Sequence, residues 1–173
     1  MAQKLLPLIL IVVTVGGLVM LGFQMWILGG ILTGLGAVLL FFWWRLYEIL
    51  RIAEALGKQD LESAKQALAK IKNPEKRNEW SRTYFNFYKG VIEAQENKFK
   101  EAEASIKKAL EVGKFRTPDE RATAHFMMAQ FLLRKRNREG ARRQLAEAKS
   151  FAAEPQLKEQ IKVLAKQHRL RMT

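Results

Sequence analysis

The chain contains no cysteine, which excludes disulfides, thiolate metal ligands, cysteine nucleophiles and lipidated cysteines. Its two histidines, His125 and His168, stand far apart in sequence, and neither sits in a ligand-like cluster. No glycine-rich phosphate loop occurs. Nothing assembles a nucleophile, a base and an oxyanion donor. The expectation is a protein that is not an enzyme, with no metal, no cofactor and no small-molecule substrate. The most informative absence is of charge. From Leu5 to Trp44, forty residues pass without one charged side chain, and only Thr14, Gln24 and Thr33 are plainly polar.

A bilayer core about 30 Å thick is crossed by about 20 apolar residues in a helix. Forty residues would measure roughly 60 Å as one helix, too long for one crossing and suited to two. The spacing predicts a two-helix transmembrane hairpin over residues 1–44, turning near Gly22, Phe23, Gln24 and Met25. The first span carries twelve Leu, Ile and Val residues between Leu5 and Leu21, which favour insertion by several kcal/mol in sum at roughly 0.3–0.6 each. A secretory signal is disfavoured, because a second apolar run follows at once without a cleavage site. Small residues let membrane helices approach closely, so Gly16, Gly17, Gly30 and Gly34 are the expected packing positions, against each other or another membrane protein. Phe41, Phe42, Trp43, Trp44 and Tyr47 form an aromatic band where the second span leaves the lipid. Lys4, Arg45 and Arg51 flank an uncharged turn, so both termini are expected in the cytoplasm, at an inner membrane of bacterial type. No proline or turn cluster separates Trp44 from Leu56, so the second span should continue as helix.

All 17 acidic residues and 29 of the 30 basic ones lie beyond Trp44, giving residues 45–173 a net charge of +12. This part is a normal size for one domain, and it repeats. Leu61-x-x-Ala64-x-x-x-Leu68 aligns with Phe99-x-x-Ala102-x-x-x-Ile106 and with Arg138-x-x-Ala141-x-x-x-Leu145. Gly90 precedes Ala102 by the same interval as Ala129 precedes Ala141. Each unit reads as helix, turn, helix, with a small residue in each helix where the pair crosses. Asn73-Pro74 marks the start of the middle unit's first helix, which runs to about Glu96. It carries two apolar stripes, one of Trp80, Tyr84, Phe87 and Val91, the other of Phe85, Tyr88 and Ile92. Thr117-Pro118-Asp119-Glu120 reads as a capped helix start, and Val112 to Glu120 as an extended loop. Glu154-Pro155 opens a last helix bearing Leu157, Ile161, Leu164 and Ala165.

The wording Gly90, Asn97-x-Phe99-x-x-Ala102-x-x-x-Ile106-x-x-Ala109-Leu110 resembles the tetratricopeptide repeat family. The resemblance covers roughly residues 45–150 and is best at 83–112. It implies an all-α protein in which the hairpin precedes a short α-solenoid of about three helix pairs plus a C-terminal capping helix, with a concave face that holds protein partners. The unit spacing exceeds the family's usual 34 residues. Arg138 stands where an aromatic is expected, which implies a looser third pair. Some members grip an acidic peptide end with lysine and asparagine on the inner helices. The corresponding positions here include Phe87, Val91, Phe126 and Gln130, which do not carry that clamp over.

On this reading the partner groove is formed by Tyr84, Tyr88, Phe126, Gln130 and Arg134. His125 falls at a buried repeat position, where hydrogen-bonded packing is expected, and His168 lies exposed in a basic tail. Arg134, Lys135, Arg136, Arg138, Arg142 and Arg143 make a basic surface patch, available to anionic lipid. Nucleic acid is disfavoured, since no stacking aromatics interleave with the charges. Two functions follow: a membrane-anchored adaptor or scaffold that recruits protein partners, or an accessory structural subunit of a larger membrane complex with the hairpin as its main contact.

Overall fold

The computed structural model describes residues 11–13, 15 and 26–170, with the side chains of 26–29, 42 and 45 left aside. Every regular element among the described residues is helical. The helices are α1 (Trp26–Gly57), α2 (Leu61–Ala69), α3 (Glu79–Gln95), α4 (Phe99–Val112), α5 (Pro118–Arg134), α6 (Arg138–Phe151) and α7 (Pro155–Gln167), with a 3₁₀ turn at Pro74–Lys76. The chain divides into two compact units, residues 1–51 and 52–173. The boundary falls inside α1, seven residues beyond Trp44, where the change in composition had placed it.

In the first unit, α1 is a continuous helix through the aromatic band, as the lack of a breaker there requires. Its 32 residues rise about 48 Å. The Gly30–Gly57 segment is the one helix among the described residues long and apolar enough to cross a membrane. Ile31, Leu35, Val38, Phe41 and Trp44 all stand more than half exposed. Trp43 stacks on Tyr47 with ring centroids 5.2 Å apart. The expected turn, Gly16 and Gly17 lie outside the described residues. At Gly30 and Gly34 an added Cβ meets nothing within 4 Å.

The second unit is a run of helices joined by short turns, whose principal interfaces are α3 on α4 and α5 on α6. Two apolar cores share α5. Phe87 of α3, Ala102, Ile106 and Ala109 of α4 and Ala124, Met128 and Phe131 of α5 form one. Ala122 and Ala129 on another face of α5 join Ala141, Leu145 and Ala148 of α6 and Leu157, Ile161 and Ala165 of α7 in the other. The repeated alanines Ala64, Ala102 and Ala141 are all completely buried. Gly90 is closer still: a Cβ there would stand 2.7 Å from Ile106 Cγ1 and 3.1 Å from the Ala102 carbonyl.

One backbone device recurs. Gln59, Asn97, Arg136 and Arg169 each adopt a left-handed conformation, with φ of 59°, 63°, 59° and 49°. At each, the left-handed residue's N–H donates to the carbonyl three residues back, and the following N–H to the carbonyl five back from itself, as in Asn97 to Ala94 and Lys98 to Glu93. This pair of bonds satisfies the last carbonyls of a helix and turns the chain sharply. The next helix is then capped by Asp60 after the first turn and by Asn137 after the third.

Two expectations about boundaries need correction. The middle unit's long helix starts at Glu79 and not just after Pro74, because Asn73 is left-handed, Pro74–Lys76 closes a 3₁₀ turn, and Asn78 caps the α-helix by accepting from Ser81 N–H. The loop expected from Val112 to Glu120 is only residues 113–117, since Gly113 in a left-handed conformation ends α4 at Val112. The helix start at Pro118 is as read, with Thr117 and Glu120 forming a reciprocal capping box.

Candidate functional site

The charged and aromatic residues expected to form one groove separate into distinct environments. Tyr84 is only 2% exposed. Its hydroxyl donates to the Glu120 carboxylate and accepts from Arg116 N–H at 2.7 Å. Glu120 also accepts from Thr117 N–H at 3.1 Å, and Thr83 Oγ1 accepts from Lys114 N–H at 3.2 Å. The loop between α4 and α5 is thereby held on α3 through side-chain oxygens. Burial, and then the hydrogen bond to Glu120, push the Tyr84 phenol well above its usual range. Tyr84 is thus a tie within the core and not groove surface. Its long-range partner could not be read from helical spacing.

Tyr88 is half-buried, and burial, with Glu120's charge second, pushes its phenol up to about 12. Phe126 is half-buried against the core of α5, α6 and α7 and is not among the walls of the groove described next. Gln130 and Arg134, one turn apart on α5, do border an open groove of about 640 Å³. Its walls come from α3 (Val91, Ala94), the start of α4 (Phe99), α5 (Met127, Phe131) and α7 (Leu164). The Arg134 guanidinium lies over the Phe99 ring, 3.8 Å from its centroid, an arrangement in which the ring face attracts the cation. Val91 thus faces the groove from an inner-helix position, and Phe99 and Leu164, distant from it in sequence, complete the wall.

The basic patch also divides. Lys135 pairs with Glu103, while Arg142 and Arg143 share Glu139 at 3.0 and 3.4 Å. These two arginines hold the Glu139 carboxyl below its usual range, Arg142 first. Arg138 is a different case. Its guanidinium donates to the carbonyls of His168 and Arg169 at the end of α7. A cation there offsets the negative end of the helix dipole. The arginine that replaces the expected aromatic therefore fastens the last helix. Arg138 also borders a second hollow, of about 390 Å³, with Arg136, Arg169, His168 and Leu133.

His125 Nδ1–H donates to Gln144 Oε1 at 2.7 Å, and the ring stacks on Phe151, 9° from parallel. Arg121 covers the same phenylalanine at 4.2 Å. The histidine is partly buried packing, linking α5 to α6. Among the described residues no group of His, Asp or Glu could hold a metal ion. The fold offers a surface with shape and charge. Comparison with protein-family models finds no match, and searches of curated proteins and of solved structures find none either.

Proposed function

We propose that the chain is a membrane-anchored adaptor of the tetratricopeptide type, recruiting a protein partner at the cytoplasmic face of the membrane. The single observation that carries this reading is the groove of about 640 Å³ walled by α3, α5 and α7. The repeat resemblance is supported by the recurrence of one left-handed turn at Gln59, Asn97 and Arg136, at the interval of the sequence repeat. On this reading residues 1–44 fold back on themselves within lipid, and α7 is the capping helix, with Leu157 and Ile161 turned inward and Lys158, Lys162 and Lys166 outward. The exposed apolar side chains of α1 support a lipid neighbour for that helix. Basic residues on either side of the apolar run favour a cytoplasmic domain.

The same exposure of Ile31, Leu35 and Val38 favours a second reading, in which that face packs on another membrane subunit. A photocrosslinker placed at Gln130 in native membranes distinguishes the two. Recruitment predicts a discrete adduct from Gln130 and none from exposed Lys149 on α6. A stable complex that crosslinks from Leu35 and never from Gln130 supports the subunit. Recovery of the intact polypeptide in the supernatant without detergent or a shielding partner would refute both.

A further inference from the structure

The cations of the C-terminal half differ in what answers their charge. Lys135, Arg142 and Arg143 have carboxylate partners in Glu103 and Glu139. Arg134, Arg136 and Arg169 make no ion pair among the described residues; Arg134 borders the larger groove, and Arg136 and Arg169 border the adjoining second hollow. The apolar groove and the second hollow share Leu133 and His168, and no aspartate or glutamate lines either one. Arg134 is partly answered by the Phe99 ring and Arg138 by the end of α7. Among the described residues, Arg136 and Arg169 are left without a counter-charge. Several guanidiniums around one hollow repel one another, and an anion seated there removes that cost.

We infer that the groove takes an extended peptide segment whose apolar residues rest on Val91, Phe99, Met127 and Leu164 and whose adjacent carboxylates reach Arg136 and Arg169 in the adjoining hollow. This rests on the adaptor reading and adds the partner's chemistry. Guanidinium forks match carboxylates in two parallel hydrogen bonds, which makes arginine suited to the task. From Met127 to Arg136 the helix and its turn rise about 14 Å, the reach of about four extended residues. The cations come from the turns that end α5 and α7, so the site is built differently from a clamp on the inner helix faces.

The test uses the full chain in a non-ionic detergent micelle and a fluorescein-labelled peptide of two leucines followed by three glutamates. Arg136→Asn combined with Arg169→Asn removes the cations while keeping both turns, because asparagine tolerates the left-handed conformation and Asn97 already adopts it. The expected result is binding that weakens about tenfold or more in this variant, weakens with added salt, and is unchanged by Arg142→Gln with Arg143→Gln. No binding of this probe, equal binding of a leucine–lysine peptide, or an equal loss from the Arg142 and Arg143 changes overturns the inference. Displacement of the probe by glycerol phosphate, with no preference for leucine over serine, identifies a lipid-headgroup site and overturns it too. If Met127→Glu abolishes probe binding while the Arg136 and Arg169 changes leave it intact, the groove stands and its charge selectivity falls.

Discussion

Gly90 offers the sharpest test of the packing. Alanine in place of glycine within a helix ordinarily stabilises by about 1 kcal/mol. At Gly90 the new methyl would stand 2.7 and 2.8 Å from two carbons of Ile106, whereas carbon atoms pack best at about 3.5–4.0 Å. Ile106 is completely buried, and the Ala102 carbonyl, 3.1 Å away, belongs to the backbone of α4. The overlap of about 1 Å can be relieved only by separating α3 from α4 or forcing Ile106 off its rotamer. Such overpacking costs about 1–3 kcal/mol. With the propensity gain set against it, Gly90→Ala should destabilise by about 1 kcal/mol and lower Tm by roughly 3–6 °C. Gly57, at the end of α1, has open space around the same position, so Gly57→Ala serves as the control and should be neutral or slightly stabilising. Thermal unfolding of the full chain in mild detergent, followed by helical circular dichroism, measures both. Ile106→Ala supplies the partner for a double-mutant cycle. It costs about 2–5 kcal/mol alone, and the pair should cost less than the sum by at least about 0.5 kcal/mol. If Gly90→Ala raises Tm as a solvent-facing glycine would, and the cycle is additive, the close crossing of α3 and α4 is refuted.

Further perturbations address the ties between units. Tyr84→Phe removes a donor to Glu120 and an acceptor for Arg116 N–H, and should cost about 1.5–3 kcal/mol in urea unfolding; a loss below about 0.5 kcal/mol shows the loop is held by other contacts. Asp119 Oδ1 accepts from Ala153 and Glu154 N–H at 2.7 and 2.9 Å, and those two donors, Glu154 first, lower its pKa. A carboxyl whose pKa is depressed by folding stabilises above its ordinary value and loses that contribution as pH falls through the folded one. Wild type should therefore exceed Asp119→Asn in stability at neutral pH, with the gap closing below about pH 4; a gap independent of pH contradicts the charge-assisted bond. Arg142→Glu with Arg143→Glu disturbs only exposed pairs to Glu139, and should change stability by less than about 1 kcal/mol. Unfolding of that variant would place these arginines in the core.

Local chemistry carried much of the architecture in the sequence itself. The uncharged stretch before Arg45, the alanine spacing around Ala64, Ala102 and Ala141, and the Thr117–Glu120 cap are all decided by contacts within a helix or its first turn. Side-chain period and capping are short-range, so they are legible from residue order. The start of α3 is not legible in residue order, because Asn73-Pro74 signals a turn without saying that a 3₁₀ turn and a second asparagine cap, Asn78, follow it. Tertiary structure alone decided the roles of the polar and aromatic residues. Tyr84 became core because Glu120 lies 36 positions away yet beside it. Arg138 became a helix fastener because α7 ends against α6, while Arg136, two residues earlier, was left facing a hollow. Burial and charge compensation are sums over neighbours distant in the chain, and those neighbours exist only once the helices have packed.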